Sequence, residues 1–293
     1  MDDIYEFART RLQAAAHMNA PVNKLRIAVF FGAVSLASSC VTARSAETTL
    51  AKAFISDDEE GKLGLQVAGE LQKQGVKYVT NPLVTGYVTS VANRVLVAAK
   101  RERPGLNWHV QVIDDPKTVN AFATPGGYLY VYTGLLLAAD NEAELAGVWG
   151  HEAGHVVARH SARQLVNQYG LETVLGMAVG KQPGVLAKLG SSVLEKGALL
   201  AHSREDEDEA DEYGARYAAA AGYAPQGLVQ FFRKLAATEG RSPRALQWIS
   251  DHPATNNRIE HVNRYITANR LHGSNLGTGG NLAAVKATLL HPS

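Results

Sequence analysis

The sequence has 293 residues, of which 46% are hydrophobic and 19% are charged, and its formal net charge is +1. This is an ordinary globular composition, long enough for one large or two small domains, and a charge so close to neutral gives no electrostatic case for binding nucleic acid. The single cysteine, Cys40, excludes an internal disulfide and a cysteine-rich metal cluster.

The segment before Cys40 has the order of a secretory signal. Lys24 and Arg26 form a basic flank, an apolar run follows, and small residues lead to the cysteine. The apolar run is too short to span a bilayer, and the order basic, apolar, small is typical of signal peptides. We therefore expect residues 1–39 to be a signal segment. Signal segments normally begin close to their basic flank, so we also expect translation to start at Met18.

The end of this segment, LASSC, resembles the lipobox of bacterial lipoproteins, in which the cysteine is lipidated and becomes the first mature residue. Ala37 stands where such boxes usually have leucine, so simple secretion and an uncleaved anchor are the alternatives. On the lipoprotein interpretation, residues 40–55 are a lipid-anchored linker. Val41, which is not the aspartate that tends to retain lipoproteins at the inner membrane, implies delivery to the outer membrane. The expected location is the periplasm.

Two helices are predicted after the linker. Ser56 and Glu59 have the spacing of a capping box, which marks the start of a helix. Valines at helical spacing then predict a second helix from about Pro82 to Arg101, and the Pro-Gly pair at residues 104–105 ends it.

The hydrophobic period next changes from helical to alternating. NWHVQVID and GYLYVYT both alternate in the manner of strands, and the second places Tyr128, Tyr130 and Tyr132 on one face. The tyrosines form either one face of a half-buried sheet or part of an exposed edge strand that holds an extended peptide. Their residue types favour the half-buried sheet.

The rest of the chain is predicted to be helical. A helix begins near Asp140 or Asn141, and Asn141 with Glu144 gives a further capping-box pattern. The apolar segment 161–201 forms a core hairpin or a mobile cover over a site, and we favour the core hairpin. Later helices are predicted at about Glu205–Ala221, Pro225–Ala237 and Asn256–Asn269, followed by a flexible tail over residues 271–293.

The stretch VWGHEAGHVVARH within the first of these helices has the residues of a metal centre. His151 and His155 are four apart, so they lie on one helix face and can hold one divalent ion. Glu152 lies roughly 100° round the helix, within reach of a water on that ion. Two ordinary surface histidines are the alternative. Glycine in a helix interior is less favourable than alanine by about 1 kcal/mol. We therefore expect Gly150 and Gly154 to be present because they allow another element to pack closely.

A third ligand is predicted further along the chain. A catalytic zinc needs three protein ligands and one open position. In SREDEDEADEYG, Glu207 and Asp211 are four apart on one face of a helix that Ser203 can cap. One carboxylate can bind the metal, while the other accepts the spare N–H of a ligating histidine. The alternative for these acids is a favourable interaction with the dipole at the helix N-terminus.

The motifs HEAGH, VVARH and Glu-x-x-Ala-Asp at Glu207 to Asp211 closely resemble the zinc metallopeptidase family of HtpX, the CAAX prenyl protease, BepA and LoiP, peptidase family forty-eight of gluzincin type. The resemblance runs from about Ser56 to Ile266. It implies an α+β, mainly helical fold: a zincin-like metalloprotease domain over residues 56–270, with a small sheet beside the active-site helix. It also implies that the tyrosine strand is the family's substrate-holding edge.

The resemblance also assigns roles to individual residues. It implies that His151, His155 and Glu207 bind one Zn²⁺ per chain, that Glu152 is the catalytic acid and base, and that Asp211 supports a ligand. In DHPATNNRIEHV, the resemblance implies a transition-state or gating role for His252 and Arg258. The alternative is structural: a histidine before a turn and an arginine paired with an acid.

The function implied by this resemblance is that of a zinc-dependent endopeptidase. Its expected substrates are unfolded or misassembled envelope polypeptides, which indicates periplasmic protein quality control. The alternative is a latent zinc protein that acts mainly as a client-binding chaperone. We expect membrane attachment through lipidated Cys40 and no nucleic-acid partner, and the sequence does not specify an oligomeric state.

Overall fold

A three-stranded sheet and eleven helices make up the parts of the chain that the structure, a computed structural model, describes: residues 55–196, 202–238, 251–252, 256–277 and 281–291. The predicted signal segment, Cys40 and the linker up to residue 54 lie outside these ranges. Within the described residues, no helix combines the length and apolar composition needed to cross a membrane.

The elements follow one another in a mainly helical order, which confirms the predicted fold class. In chain order they are α1 Asp57–Lys73, α2 Pro82–Glu102, β1 His109–Ile113, β2 Ala121–Thr124, β3 Tyr128–Tyr132, α3 Thr133–Ala138, α4 Glu142–Val157, α5 His160–Tyr169, α6 Leu171–Ala178, α7 Pro183–Lys196, α8 Arg204–Ala220, α9 Gly227–Thr238, α10 Asn256–Ala268 and α11 Asn281–Leu290.

The sheet separates two hydrophobic cores, because successive side chains of a strand point to opposite faces. On one face, Leu129 and Val131 of β3 belong to the larger core, which α2, α4 and α9 also line. On the other face, Tyr130 and Tyr132 belong to a smaller core lined by α1 and α5–α7. Phe122 of β2 stacks on Tyr130 there, with ring centroids 4.6 Å apart.

The tyrosine strand is the central strand of the sheet, so the prediction that it is an edge was wrong. The strand order is β1–β3–β2, with β1 parallel to β3 and β2 antiparallel to it. Both edges of β3 are therefore used in backbone pairing. The hairpin between β2 and β3 turns through Gly126 and Gly127, whose φ angles of 82° and 87° favour glycine.

Local signals placed the starts of several helices correctly. Ser56 and Glu59 form a complete capping box at α1. At α4, the Asn141 side chain accepts from the N–H of Glu144, but the Glu144 carboxylate accepts from the N–H of Asp140. The second hydrogen bond of the predicted capping box is thus displaced by one residue. The same Glu144 carboxylate also forms an ion pair with Lys234 at 2.6 Å.

The apolar segment after α4 forms part of the smaller core. Its described residues make α5, α6 and α7, and Leu165, Met177 and Leu189 are buried against α1 and the tyrosine face of the sheet. This agrees with the preferred core-hairpin prediction, with α6 and α7 joined by a short turn.

The predicted flexible tail contains a helix. In α11, Leu282 and Val285 are buried and join the larger core. The sequence did not predict this helix, because it follows a glycine-rich stretch. A ten-residue helix stabilised mainly by two buried side chains also has a weak sequence pattern of its own.

A left-handed residue separates α4 from α5. Arg159 has φ 60° and ψ 30°, a conformation that costs a residue other than glycine roughly 1 kcal/mol or more. Its guanidinium donates to the carbonyl of Ile55 at 2.6 Å and to the carboxylates of Glu60 and Asp57 at 2.7 and 2.5 Å. These bonds to the start of α1 hold the reversal in place.

Candidate metal centre and active site

Helices α4 and α8 touch through their backbones. A Cβ atom added to Gly150 would lie 2.9 Å from the carbonyl oxygen of Gly214, and one added to Gly154 would lie 2.6 Å from Cβ of Tyr213. Real Cβ atoms essentially never approach other atoms this closely, so larger residues here would push α8 away. The two glycines explain how the acidic helix packs closely enough for Glu207 to reach the histidines.

The three predicted ligands meet at one point. Nε2 of His151 lies 3.0 Å from Nε2 of His155, and each of these nitrogens lies 3.5 Å from one oxygen of Glu207. All three side chains are buried. Ligands that hold a tetrahedral zinc at 2.0–2.2 Å lie about 3.3 Å from one another. The separations and the two-imidazole, one-carboxylate donor set therefore fit a zinc ion.

Asp211 and Arg258 support this group of ligands. Nδ1 of His151 lies 2.9 Å from Oδ1 of Asp211, the position of a partner that orients a ligating imidazole. Arg258 of α10 donates to both oxygens of Asp211 at 2.8 and 2.7 Å and lies 2.9 Å from Oε2 of Glu207. Arg258 thus makes the ion pairs expected from the structural alternative, and its transition-state or gating role stays a prediction.

The charges around Glu207 and Asp211 keep both carboxylates ionised. Burial alone raises a carboxyl pKa, but the charges of His252 and Arg258 hold the pKa of Glu207 well below its usual 4.5. For Asp211, Arg258 and His151 outweigh burial and lower the pKa from 3.8. Burial, together with His202, lowers the pKa of His155 well below 6.5. The ring is therefore neutral, as metal binding requires.

Glu152 has the opposite environment. It is buried, and neither of its oxygens has a hydrogen-bond partner among the described residues. Burial raises its pKa above 4.5, despite the lowering effects of His252 and His151. A buried carboxylate without hydrogen bonds is energetically costly. Its presence beside the metal centre is therefore consistent with a group that exchanges a proton with a water or substrate.

His252 lies against the ligands. Its Nδ1 is 3.1 Å from both oxygens of Glu207 and 3.2 Å from Nε2 of His151, and its Nε2 is 3.6 Å from Oε1 of Glu152. Ligand atoms of His252 and the three predicted ligands all lie within 4.8 Å of one another. The Glu207 charge raises the pKa of His252 to about 9, although burial opposes this shift.

Three further contacts of the site were missed from the sequence. Nδ1 of His160 lies 2.8 Å from Nδ1 of His155, the His202 ring stacks on His155 with centroids 4.0 Å apart, and Asn120 donates to Asp251 at 2.7 Å. His160 belongs to the motif VVARH, but its five-residue spacing from His155 does not place both on one face of a regular helix. The other two contacts join segments far apart in the chain and had no local signal.

Comparison with known proteins identifies similar chains. The model of the family described as Peptidase family M48 matches residues 82–266, more than half of the chain. Mitochondrial metalloendopeptidase OMA1 of Schizosaccharomyces pombe is 32% identical over 182 residues, which cover 62% of this chain and 53% of the relative. The Beta-barrel assembly-enhancing protease of Escherichia coli K12 is 27% identical over 220 residues, which cover 72% and 44%. The chain thus spans about half the length of the curated relatives it matches.

The glycine contact gives a prediction for metal binding. Gly150→Ala forces α8 away from α4, and metal sites tolerate ligand displacements of only about 0.2 Å. We expect zinc affinity, measured by competition with a chelator, to fall by about tenfold or more, while circular dichroism shows no loss of helix. Gly69→Ala is the matched control, because a Cβ added there meets nothing within 4 Å. Equal zinc affinity in the two variants would contradict the proposed function of the glycine.

Proposed function

The chain belongs to peptidase family M48, and on that premise we propose that it is a zinc-dependent endopeptidase that hydrolyses peptide bonds in unfolded or misassembled envelope proteins. One observation carries the catalytic part of this proposal. His151, His155 and Glu207 converge within 3.5 Å of one another, beside the buried and unbonded carboxylate of Glu152. A purely structural zinc has no need of a neighbouring base.

In this proposal His151, His155 and Glu207 hold the metal, and Asp211 fixes the orientation of the His151 ring. When bound, zinc supplies a Lewis acid that polarises the scissile carbonyl and activates water for attack. Arg258 keeps Glu207 and Asp211 ionised and oriented through its ion pairs with both. Its part is therefore to position the carboxylates.

Glu152 moves the proton of the reaction. It takes a proton from the attacking water and later gives it to the leaving amine, as a general base and then a general acid. Its raised pKa suits both steps, because a carboxyl group with a higher pKa is a stronger base and still returns the proton readily.

For His252 we propose a covering role in the arrangement described here. Its Nδ1 lies 3.1–3.2 Å from atoms of Glu207 and His151, separations like those between the ligands themselves. With a metal held by the three ligands, a side chain in this place would obstruct the approach of water or substrate. The same observation favours the second candidate function, a latent zinc protein that mainly binds clients and cleaves only when His252 withdraws.

The envelope location is also a proposal. The order of charged, apolar and small residues before Cys40 and the lipobox-like LASSC support export and lipidation. The similarity to a Beta-barrel assembly-enhancing protease also supports an envelope location, since β-barrel proteins belong to outer membranes. We propose that lipidated Cys40 anchors the protein to the outer membrane on its periplasmic side.

The mechanism predicts separable losses in two variants. Glu152→Gln keeps the three ligands and removes the base, so it should retain zinc and lose casein cleavage by about 100-fold or more. His151→Ala should lose both zinc and cleavage. Zinc content and the cleavage of unfolded casein, each with and without a chelator, are the measurements. Wild-type cleavage by the glutamine variant would reject the proposed base.

The covering role predicts that His252→Ala accelerates casein cleavage at unchanged zinc content. If His252 instead donated a hydrogen bond to the transition state, the same change would slow cleavage by about 100-fold. The sign of the change in rate therefore decides between the two roles. His272→Ala, at an exposed histidine outside the site, is the control and should leave the rate unchanged.

The anchor predicts that Cys40→Ser releases the mature protein from the membrane fraction. The intact mass of the wild-type protein should match a chain that begins at a lipid-modified Cys40. A soluble wild-type protein, or a mature chain that contains residues 1–17, would reject the lipoprotein assignment.

A further inference from the structure

The two histidine ligands differ in what supports them. His151 is held directly by a carboxylate, since its Nδ1 lies 2.9 Å from Asp211. Nδ1 of His155 instead faces another imidazole, Nδ1 of His160, at 2.8 Å. His160 is buried, and its Nε2 lies 3.2 Å from Oε2 of Glu209 and 3.5 Å from Oδ1 of Asp206.

The backbone reversal at Arg159 makes this contact possible. On a continuous helix, residues five apart point roughly 140° away from each other, so His160 would face away from His155. The left-handed conformation of Arg159 ends α4 and starts α5 at His160, and the two rings meet edge to face with centroids 5.0 Å apart. The strained residue is held by ion pairs with Asp57 and Glu60.

Only one assignment of protons satisfies this chain of nitrogens when His155 acts as a ligand. Nε2 of His155 faces His151 and Glu207, so its lone pair must be free for the metal and the proton must be on Nδ1. That N–H donates to Nδ1 of His160, which must therefore be an acceptor. His160 is then protonated on Nε2 and donates to Glu209.

We infer that His160 and Glu209 form a relay that positions His155: together they fix its tautomer and ring orientation for zinc. This inference rests on the proposed function and adds two positioning residues to it. Glu209 has a side chain that is 44% exposed, so the relay connects a buried ligand with a carboxylate at the surface. Partners of this kind change metal affinity by about 10- to 100-fold when they are removed.

The decisive comparison is between two substitutions at His160. His160→Leu keeps an apolar side chain in the buried site but removes the acceptor, so zinc affinity measured by chelator competition should fall by about 10- to 100-fold. His160→Asn places an amide oxygen near the position of Nδ1 and should restore most of that loss. If the leucine variant binds zinc as tightly as the wild type, or if the asparagine variant binds no better than leucine, the relay is rejected.

His261→Leu is the matched control. His261 also pairs with a glutamate of α8, Glu212, at 3.0 Å, but it lies outside the group of ligands. Its loss should leave zinc affinity unchanged. Should His160→Leu fail to fold, Glu209→Ala tests the same relay from its exposed end and should lower zinc affinity in the same direction, by less because Asp206 remains. An unchanged affinity there rejects the relay.

Imidazole-nitrogen NMR of the zinc-loaded wild type reports the proton positions directly. We expect His155 to be protonated on Nδ1 and His160 on Nε2, and a His160 ring protonated on Nδ1 would overturn the inference. Zinc binding by the wild type checks the proposed function separately. A wild type that binds zinc while His160→Leu is unaffected rejects the relay alone, whereas a wild type that binds none rejects the proposed function and the relay with it.

Discussion

The backbone contact between Gly150 of α4 and Gly214 of α8 is the constraint on which the site depends. Two imidazoles on one helix supply only half of a tetrahedral site, and the third ligand has to come from another element. Glu207 reaches them because Gly150 has no Cβ atom. A Cβ there would lie 2.9 Å from the carbonyl oxygen of Gly214 and would push the two helices apart. Each helical glycine disfavours α4 by about 1 kcal/mol, and the complete burial of that helix offsets the cost.

Features encoded within a few residues were predicted from the sequence, and features set by long-range contacts were not. Ser56, Ser203 and the pair His151 and His155 were placed correctly because capping and four-residue spacing are local rules. Glu207 needed both its spacing to Asp211 and the resemblance to a family. The resemblance identified Glu207 as the third ligand. The structure places its oxygens 3.5 Å from the two histidine nitrogens.

The errors have definite physical causes. The alternating tyrosines identify a strand, but its place in the middle of the sheet is decided by pairing with β1 and β2, which no periodicity reveals. His160 was overlooked because a helical projection assumes a continuous helix, and Arg159 breaks it with a left-handed residue held by acids of α1. Both cases show tertiary contacts overriding a rule that is correct for an isolated segment.

The site also gives its two central carboxylates different properties from similar burial. Taking an ionised carboxylate out of water costs several kcal/mol unless charges and hydrogen bonds compensate. Arg258 and His252 compensate Glu207, so its pKa falls and it remains an anion suited to bind a cation. Glu152 has no hydrogen bond among the described residues, so the effect of burial dominates and its pKa is raised. A raised pKa suits a carboxyl group that takes up and releases a proton. The contacts that His252 and Arg258 make with Glu207, at 3.1 and 2.9 Å, therefore separate the ligand from the base. His252 and Arg258 together thus distinguish the two chemical roles that the motif on α4 and the acids on α8 leave open.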